Sequence, residues 1–152
     1  MEKIFYPESI AVIGASDSER NLSRNIIKNL LDWGFRGKIY PVGPKGGEIF
    51  GLAIKPSVKD IAADIDFFSI FVPAEGIPAL LEECGQKGIK RGLIMTAGFS
   101  EYADEKRELE GEILRVCGDY GIRFIGPNCL GITNTANELC LSFSPLRKET
   151  VP

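Results

Sequence analysis

The stretch Ile10-Ala-Val-Ile-Gly-Ala-Ser-Asp-Ser-Glu-Arg-Asn-Leu-Ser23 decides the fold. Ile10 to Ile13 is a continuous apolar run closed by Gly14, the pattern of a strand buried on both faces. Beyond the loop, Leu22, Ile26, Ile27, Leu30 and Leu31 recur at helical spacing, and Gly34 is a natural stop. A buried strand feeding a helix through a short loop is the first half of a βαβ unit.

The same alternation continues along the chain. Strands are expected at Lys38–Val42, Asp66–Val72, Gly92–Met95 and Arg123–Ile125. Pro41 is awkward inside a strand because it cannot donate to a ladder, so it is expected at a strand end. Ile77, Leu80, Leu81 and Cys84 mark one further helix, and Leu109, Ile113, Leu114, Cys117 and Tyr120 another. A short helix is expected near Ser57 to Ile61, and an added edge strand around Leu139 to Phe143. Strands joined in this way imply right-handed crossovers. The expected fold is α/β: a Rossmann-like, doubly wound, mostly parallel sheet of five or six strands in a three-layer arrangement. The domain is expected to occupy residues 1–144, with 145–152 beginning a connection to further domains.

Composition excludes several classes. Apolar content of 44% and charged content of 26% are ordinary for a folded globular chain. The longest apolar run, Phe67 to Val72 with Ser69 inside it, falls far short of the roughly 18 residues that a membrane span needs. Met1 to Pro7 has neither an apolar core nor a cleavage site of small residues, so no secretory leader is expected. A net charge of −3 gives no reason to expect nucleic acid. The four cysteines, Cys84, Cys117, Cys129 and Cys140, show no C-x-x-C spacing and suit a reducing cytoplasm. The chain has no histidine. Ser-His-Asp and Cys-His catalysis, imidazole metal ligation and a phosphohistidine are therefore excluded within it. No metal site and no catalytic residue is expected.

Ligands of such sheets bind beyond the carboxyl ends of the strands, so the loops after each strand carry the function. In the first loop, backbone N–H groups and a helix N-terminus suit a phosphate, though only Gly14 of a G-x-G-x-x-G pattern is present. The second loop, Val42-Gly-Pro-Lys45, lacks the acid with which a dehydrogenase holds its ribose hydroxyls. Lys45 would instead attract a phosphorylated ribose, which leaves NADP or coenzyme A as candidate ligands.

Three further loops occur in order: Val72-Pro-Ala74, Thr96-Ala-Gly-Phe99 and Gly126-Pro-Asn-Cys-Leu-Gly131. With Tyr6-Pro-Glu-Ser-Ile-Ala-Val-Ile-Gly-Ala-Ser16, Lys28-Asn-Leu30, Gly37-Lys-Ile-Tyr-Pro-Val42 and Pro56-Ser-Val58, this set resembles the CoA-binding domain of the nucleoside-diphosphate-forming acyl-CoA synthetases. That superfamily includes the α subunit of succinyl-CoA synthetase. The resemblance covers roughly Tyr6 to Asn134.

The resemblance implies coenzyme A or acyl-CoA as the ligand and a role in each loop. Gly14, Ala15 and Ser16, with Arg20, Asn21, Leu22 and Ser23, would hold the CoA phosphates. Val42, Pro44 and Lys45 would meet the phosphorylated ribose, and Val72, Pro73 and Ala74 would wall the adenine. Thr96, Ala97, Gly98 and Phe99 would line the pantetheine path. Pro127, Asn128 and Cys129 would lie near the thiol, with Asn128 orienting the thioester or a neighbouring loop. Three positions depart from the family pattern: Arg20 and Ser23 stand where glycines are frequent, and Gly43 replaces an asparagine. Arg20 is expected to add a phosphate contact, and Gly43 to loosen its turn.

Cys129 has no base to activate it and reads as a packing residue. Glu82, Glu83, Glu101, Asp104 and Glu105 read as solvated helix charges. The family reaction joins an acyl group to CoA through an acyl phosphate and a phosphohistidine. The resemblance places that histidine in the next domain and the nucleotide in an ATP-grasp domain, so the expected partners are downstream CoA-ligase and ATP-grasp domains or a β subunit. A homo-oligomer is also compatible. The isolated domain is expected to position the CoA thiol and to be inactive alone. Rival readings are the regulatory CoA-binding part of a fused protein acetyltransferase, or an NAD(P)-binding redox module.

Overall fold

The computed structural model describes residues 2–99 and 107–148. In chain order its elements are α1 (Glu2–Phe5), β1 (Ser9–Ile13), α2 (Leu22–Trp33), β2 (Lys38–Val42), β3 (Glu48–Ile49) and β4 (Leu52–Ala53). There follow β5 (Phe67–Ile70), α3 (Ile77–Lys87), β6 (Arg91–Ile94), α4 (Arg107–Tyr120), β7 (Arg123–Ile125), β8 (Gly131–Asn134) and β9 (Leu139–Ser142). Five strands make one parallel sheet in the order β2-β1-β5-β6-β7. The order reverses between β1 and β5, which makes the cleft beyond those strands the topological switch point.

Period-two alternation divides the core into two layers. Ile10 and Val12 of β1 pack on one face with Ile26, Ile27 and Leu30 of α2 and with Leu139 and Leu141 of β9. Ala11 and Ile13 face the other side, with Ile77 and Leu81 of α3 and Ile113 and Val116 of α4. The fold is thus three-layered and α/β.

The structure corrects several local expectations. Leu139–Ser142 does not join the sheet; it pairs antiparallel with β8 as a separate ribbon lying over α2. Residues 58–60 form one turn of 3₁₀ helix, capped by Ser57 and Asp60. Pro41 lies inside β2, and it is tolerated there because β2 is an edge strand. Its carbonyl accepts from Lys55 N–H at 2.9 Å on the outer side, so its nitrogen also faces outward and the ladder to β1 loses no donor.

Leu22, Leu31 and Leu114 are 43%, 42% and 67% exposed, so they are not core residues. On α2 the buried places belong partly to Ser23, Asn29 and Trp33, and on α4 to Val116. Asn29 is buried because its side chain is fully employed. Its amide donates to the Ser142 and Ser144 carbonyls at 2.9 and 2.8 Å, and its Oδ1 accepts from Leu146 N–H at 3.2 Å. Trp33 Nε1 adds a bond to Leu146 O at 2.9 Å, so residues 144–146 lie along α2.

Candidate functional site

The loops beyond the carboxyl ends of the strands are tied to one another by backbone bonds. Val42 O accepts from both Gly14 N–H and Ala15 N–H at 2.9 Å, which joins the first two loops. Gly14 has φ +99, and an added Cβ would stand 2.5 Å from Phe71 O. Only glycine permits the first loop to cross the end of β5 so closely. Asn21 caps α2, its Oδ1 accepting from Arg24 N–H at 2.9 Å while its amide donates back to Gly14 O at 2.9 Å. Ser23 is buried beneath this loop with its hydroxyl 3.5 Å from Phe71 O.

The later loops are fastened by Thr96. Its hydroxyl donates to Val72 O at 2.7 Å and accepts from Val72 N–H at 3.3 Å. Thr96 O in turn accepts from Asn128 N–H at 2.9 Å. Gly126 has φ +106, and a Cβ there would meet Ile94 O at 2.1 Å. The Gly126–Pro127 peptide is cis, and Asn128 adopts φ 55. Cys129 Sγ lies 3.5 Å from Ile94 O, and burial pushes its thiol above the ordinary range, partly offset by backbone N–H donors. It is therefore a poorer nucleophile than a free cysteine, in keeping with a packing role.

These loops enclose a cleft of about 480 Å³. Of the residues expected at the site, Asn21, Val72, Pro73, Thr96, Ala97, Asn128 and Cys129 line it together. Gly14, Ala15, Ser16, Arg20, Leu22 and Ser23 belong to the adjoining loop and first turn of α2, with Arg20 and Leu22 exposed. Val42 is buried, and Pro44 and Lys45 are exposed on the neighbouring loop. Lys45 makes no ion pair among the described residues. Ala74 and Phe99 are buried in the layer with α3 and α4 and do not line the cleft. Gly98 and Pro127 lie just outside the lining. Gly43 does not loosen its turn: Gly46 N–H bonds to Gly43 O at 3.0 Å, and Gly43 N–H to Lys55 O at 2.9 Å. A Cβ there would stand 2.0 Å from Ala15 O, so glycine lets the first two loops touch.

Phe71, Met95, Leu130 and Phe143 also line the cleft and were not expected there. Phe71 and Phe143 stack at 5.2 Å with their planes 3° apart, closing one wall. The pairing joins residues far apart in sequence, and no local pattern announces it. Leu130 is 77% exposed, an apolar side chain held at the rim.

Among the described residues the lining contains no carboxylate, lysine or arginine, and the Thr96 hydroxyl is committed to Val72. The lining can bind and orient, and among the described residues its one titratable group is the Cys129 thiol, which burial holds protonated above the ordinary range. Among the described residues no cluster of acids and cysteines could hold a metal. Glu82 is exposed and Glu83 accepts from Ser57 Oγ at 2.5 Å; Glu101, Asp104 and Glu105 lie outside the described residues. A larger hollow of about 850 Å³ opens at the opposite end of the sheet, beside Ser9 and Lys38 at the starts of β1 and β2. Its Glu8, Asp64, Asp66 and Glu138 outnumber Arg36 and Lys38, which disfavours an anionic ligand. Among the described residues, no helix is long and apolar enough to cross a membrane.

Glycine-supported close approach, a capped helix start and a switch-point cleft define a doubly wound domain of the nucleotide-binding type. The chain belongs to the CoA-binding domain family: a family model described as "CoA binding domain" matches residues 8–135. Coenzyme A is the ligand of that family. The chain is 49% identical over 95% of its length to an ADP-forming acetate–CoA ligase of Methanocaldococcus jannaschii, of which it covers 20%. It is 41% identical, again over 95% of its length, to the α subunit of an ADP-forming acetate–CoA ligase I of Pyrococcus furiosus, of which it covers 32%. A solved acetyl-coenzyme A synthetase of Candidatus Korarchaeum cryptofilum superposes with a TM-score of 0.88 at 38% identity, over 95% of this chain and 31% of that one. The chain thus spans between a fifth and a third of the length of these relatives.

Proposed function

We propose that this chain is the CoA-binding domain of an ADP-forming acyl-CoA synthetase, holding CoA with its thiol presented for acyl transfer and performing no turnover alone. The observation that carries this reading is the make-up of the cleft: small and apolar residues with a few neutral polar groups and, among the described residues, no carboxylate, lysine or arginine in the lining. The fit to CoA rests on this chain's own residues. Gly14 and Gly43 give close backbone approach at the phosphate loop, and Arg20 and Lys45 are exposed cations flanking it. The cleft volume lies within the roughly 300–1,000 Å³ of small-molecule sites.

In this reading residues 14–16 and 20–23 hold the phosphates and Lys45 meets the phosphorylated ribose. Val72 and Pro73 wall the adenine, and Thr96 and Ala97 keep the pantetheine path narrow and open. Asn128, held by the hydrogen bond its backbone N–H donates to Thr96 O, orients the thioester end. CoA supplies the nucleophilic sulfur; the chain supplies position and a dry wall. Proton transfer, the acyl phosphate and the nucleotide belong to CoA-ligase and ATP-grasp domains or to a β subunit. That assignment is supported by relatives three to five times longer, which this chain covers to 32% and 20%.

The test is calorimetric titration with CoA, paired with an assay for acetate-dependent CoA acylation. Saturable binding without turnover is expected. Absence of CoA binding, or turnover by this chain alone, overturns the reading.

A further inference from the structure

We propose that Arg24 and Phe50 form a positioning clamp that sets how strongly the site prefers a ligand phosphorylated on its ribose. The inference rests on the proposed CoA reading and concerns residues to which that reading gives no role.

It begins with a local violation. Ile49 and Leu52 pair across a two-residue turn made by Phe50 and Gly51. Both turn residues have positive φ, 49 and 78. Such turns favour asparagine or aspartate before glycine, and a bulky side chain in the left-handed region is strained. Phe50 is also 41% exposed, so core burial alone does not account for it. Its ring carries the Arg24 guanidinium, whose Cζ lies 4.5 Å from the ring centroid. The same guanidinium donates through NH1 to Asp17 O at 2.9 Å, in the phosphate loop.

One planar side chain thereby joins three segments: the phosphate loop, the first turn of α2 and the tip of the β3–β4 hairpin. The base of this excursion is held by Gly43 N–H to Lys55 O at 2.9 Å and Ile54 N–H to Gly47 O at 2.8 Å. Lys45 lies within that base, between Gly43 and Gly47, and the clamped tip follows directly beyond Gly47. In the proposal, tying the tip to Arg24 fixes the whole excursion, Lys45 included, relative to residues 14–21. No carboxylate pairs with Arg24 among the described residues, so its charge also adds to the field at the phosphate loop. A lysine at position 24 keeps the charge but lacks the flat fork that stacks and donates at once.

The experiment measures dissociation constants for CoA and dephospho-CoA by calorimetry on the wild-type chain and on F50Y, F50L, R24K and R24K/F50L. The readout is the ratio of the two constants, which a general loss of stability does not move. F50Y, which retains an aromatic face, is expected to keep the wild-type ratio. F50L and R24K are each expected to bring it roughly two- to fivefold closer to unity, the size of an exposed cation–π contact. The double variant is expected to lose no more than either single one, the mark of a shared interaction. Wild-type ratios in F50L and R24K, or additive losses in the double variant, overturn the clamp. Equal wild-type affinity for both ligands also overturns it while leaving CoA binding intact. Failure to bind either ligand overturns the CoA reading and the clamp with it.

Discussion

Replacing Thr96 by valine tests whether the loops of the cleft are held as described. The substitution nearly preserves shape and removes only the hydroxyl. In the native chain that hydroxyl donates to Val72 O at 2.7 Å and accepts from Val72 N–H at 3.3 Å, at a residue 6% exposed. Each intramolecular bond contributes about 0.5–1.5 kcal/mol net, and a backbone group left unpaired in a buried place costs about 1–3 kcal/mol. The bond to the carbonyl is short and the one from the amide long, and Val72 is only half-buried, so water can reach part of the vacated space. The cost is therefore placed at about 1–2 kcal/mol, at the lower end of the summed range. For a chain of this size that lowers the Tm by about 2–8 °C. Urea titration should show an earlier midpoint with an unchanged slope. Amide exchange should quicken at Val72 and stay the same at Ile70, inside β5. CoA affinity should fall, because the walls after β5 and β6 lose their cross-tie. A midpoint within about 0.5 kcal/mol of wild type, or a Val72 amide as protected as before, refutes the reasoning.

Gly14→Ala forces a side chain onto φ +99 and to within 2.5 Å of Phe71 O, so it should destabilise by more than about 1 kcal/mol and weaken CoA binding, both read by denaturation and titration. Ser69→Ala should be neutral or stabilising by up to roughly 1 kcal/mol, because the Ser69 hydroxyl is buried in β5 without a partner; a clear loss of stability would show an unrecognised bond. Burial raises all four thiols, Cys140 to about 11, while an unfolded thiol ionises near the ordinary value of 9.0. Between those values the folded state binds more protons, so stability should fall as pH rises from about 9 towards 11, and cysteine replacement at position 140 should flatten that slope in urea midpoints.

The layered fold was legible because its signals are local. Ile10 to Ile13, Phe67 to Ile70 and the Ile26, Ile27, Leu30 stripe state their periods within a few residues, and right-handed crossovers leave little freedom in joining them. The positions of the loops followed from the strands, and the resemblance of their motifs to a known family is what named Asn21, Val72, Thr96 and Asn128 together. What escaped depends on contacts across the chain. Leu31 and Leu114 fit the helical period, yet they face out, while Asn29 turns inward because three backbone partners from residues 142–146 receive it. Phe143 reaches the cleft only because β8 and β9 fold back over α2 and bring it onto Phe71.

Phe50 shows where such illegibility is itself informative. Local rules make Phe50-Gly51 a poor two-residue turn, and no hairpin was expected there from the sequence. The structure keeps the turn and puts an aromatic residue in its strained position, with a charged side chain from a distant helix lying over it. Sequences specify folds by agreement between local preference and global packing, so a retained disagreement at the edge of a binding site asks for a functional cause. Replacing Phe50 by asparagine, the residue such a turn prefers, should then stabilise the hairpin while weakening discrimination between CoA and dephospho-CoA. Measured together, urea midpoint and affinity ratio would move in opposite directions. If both improved, the ring would be a local accident of packing and the strain would have no bearing on the ligand.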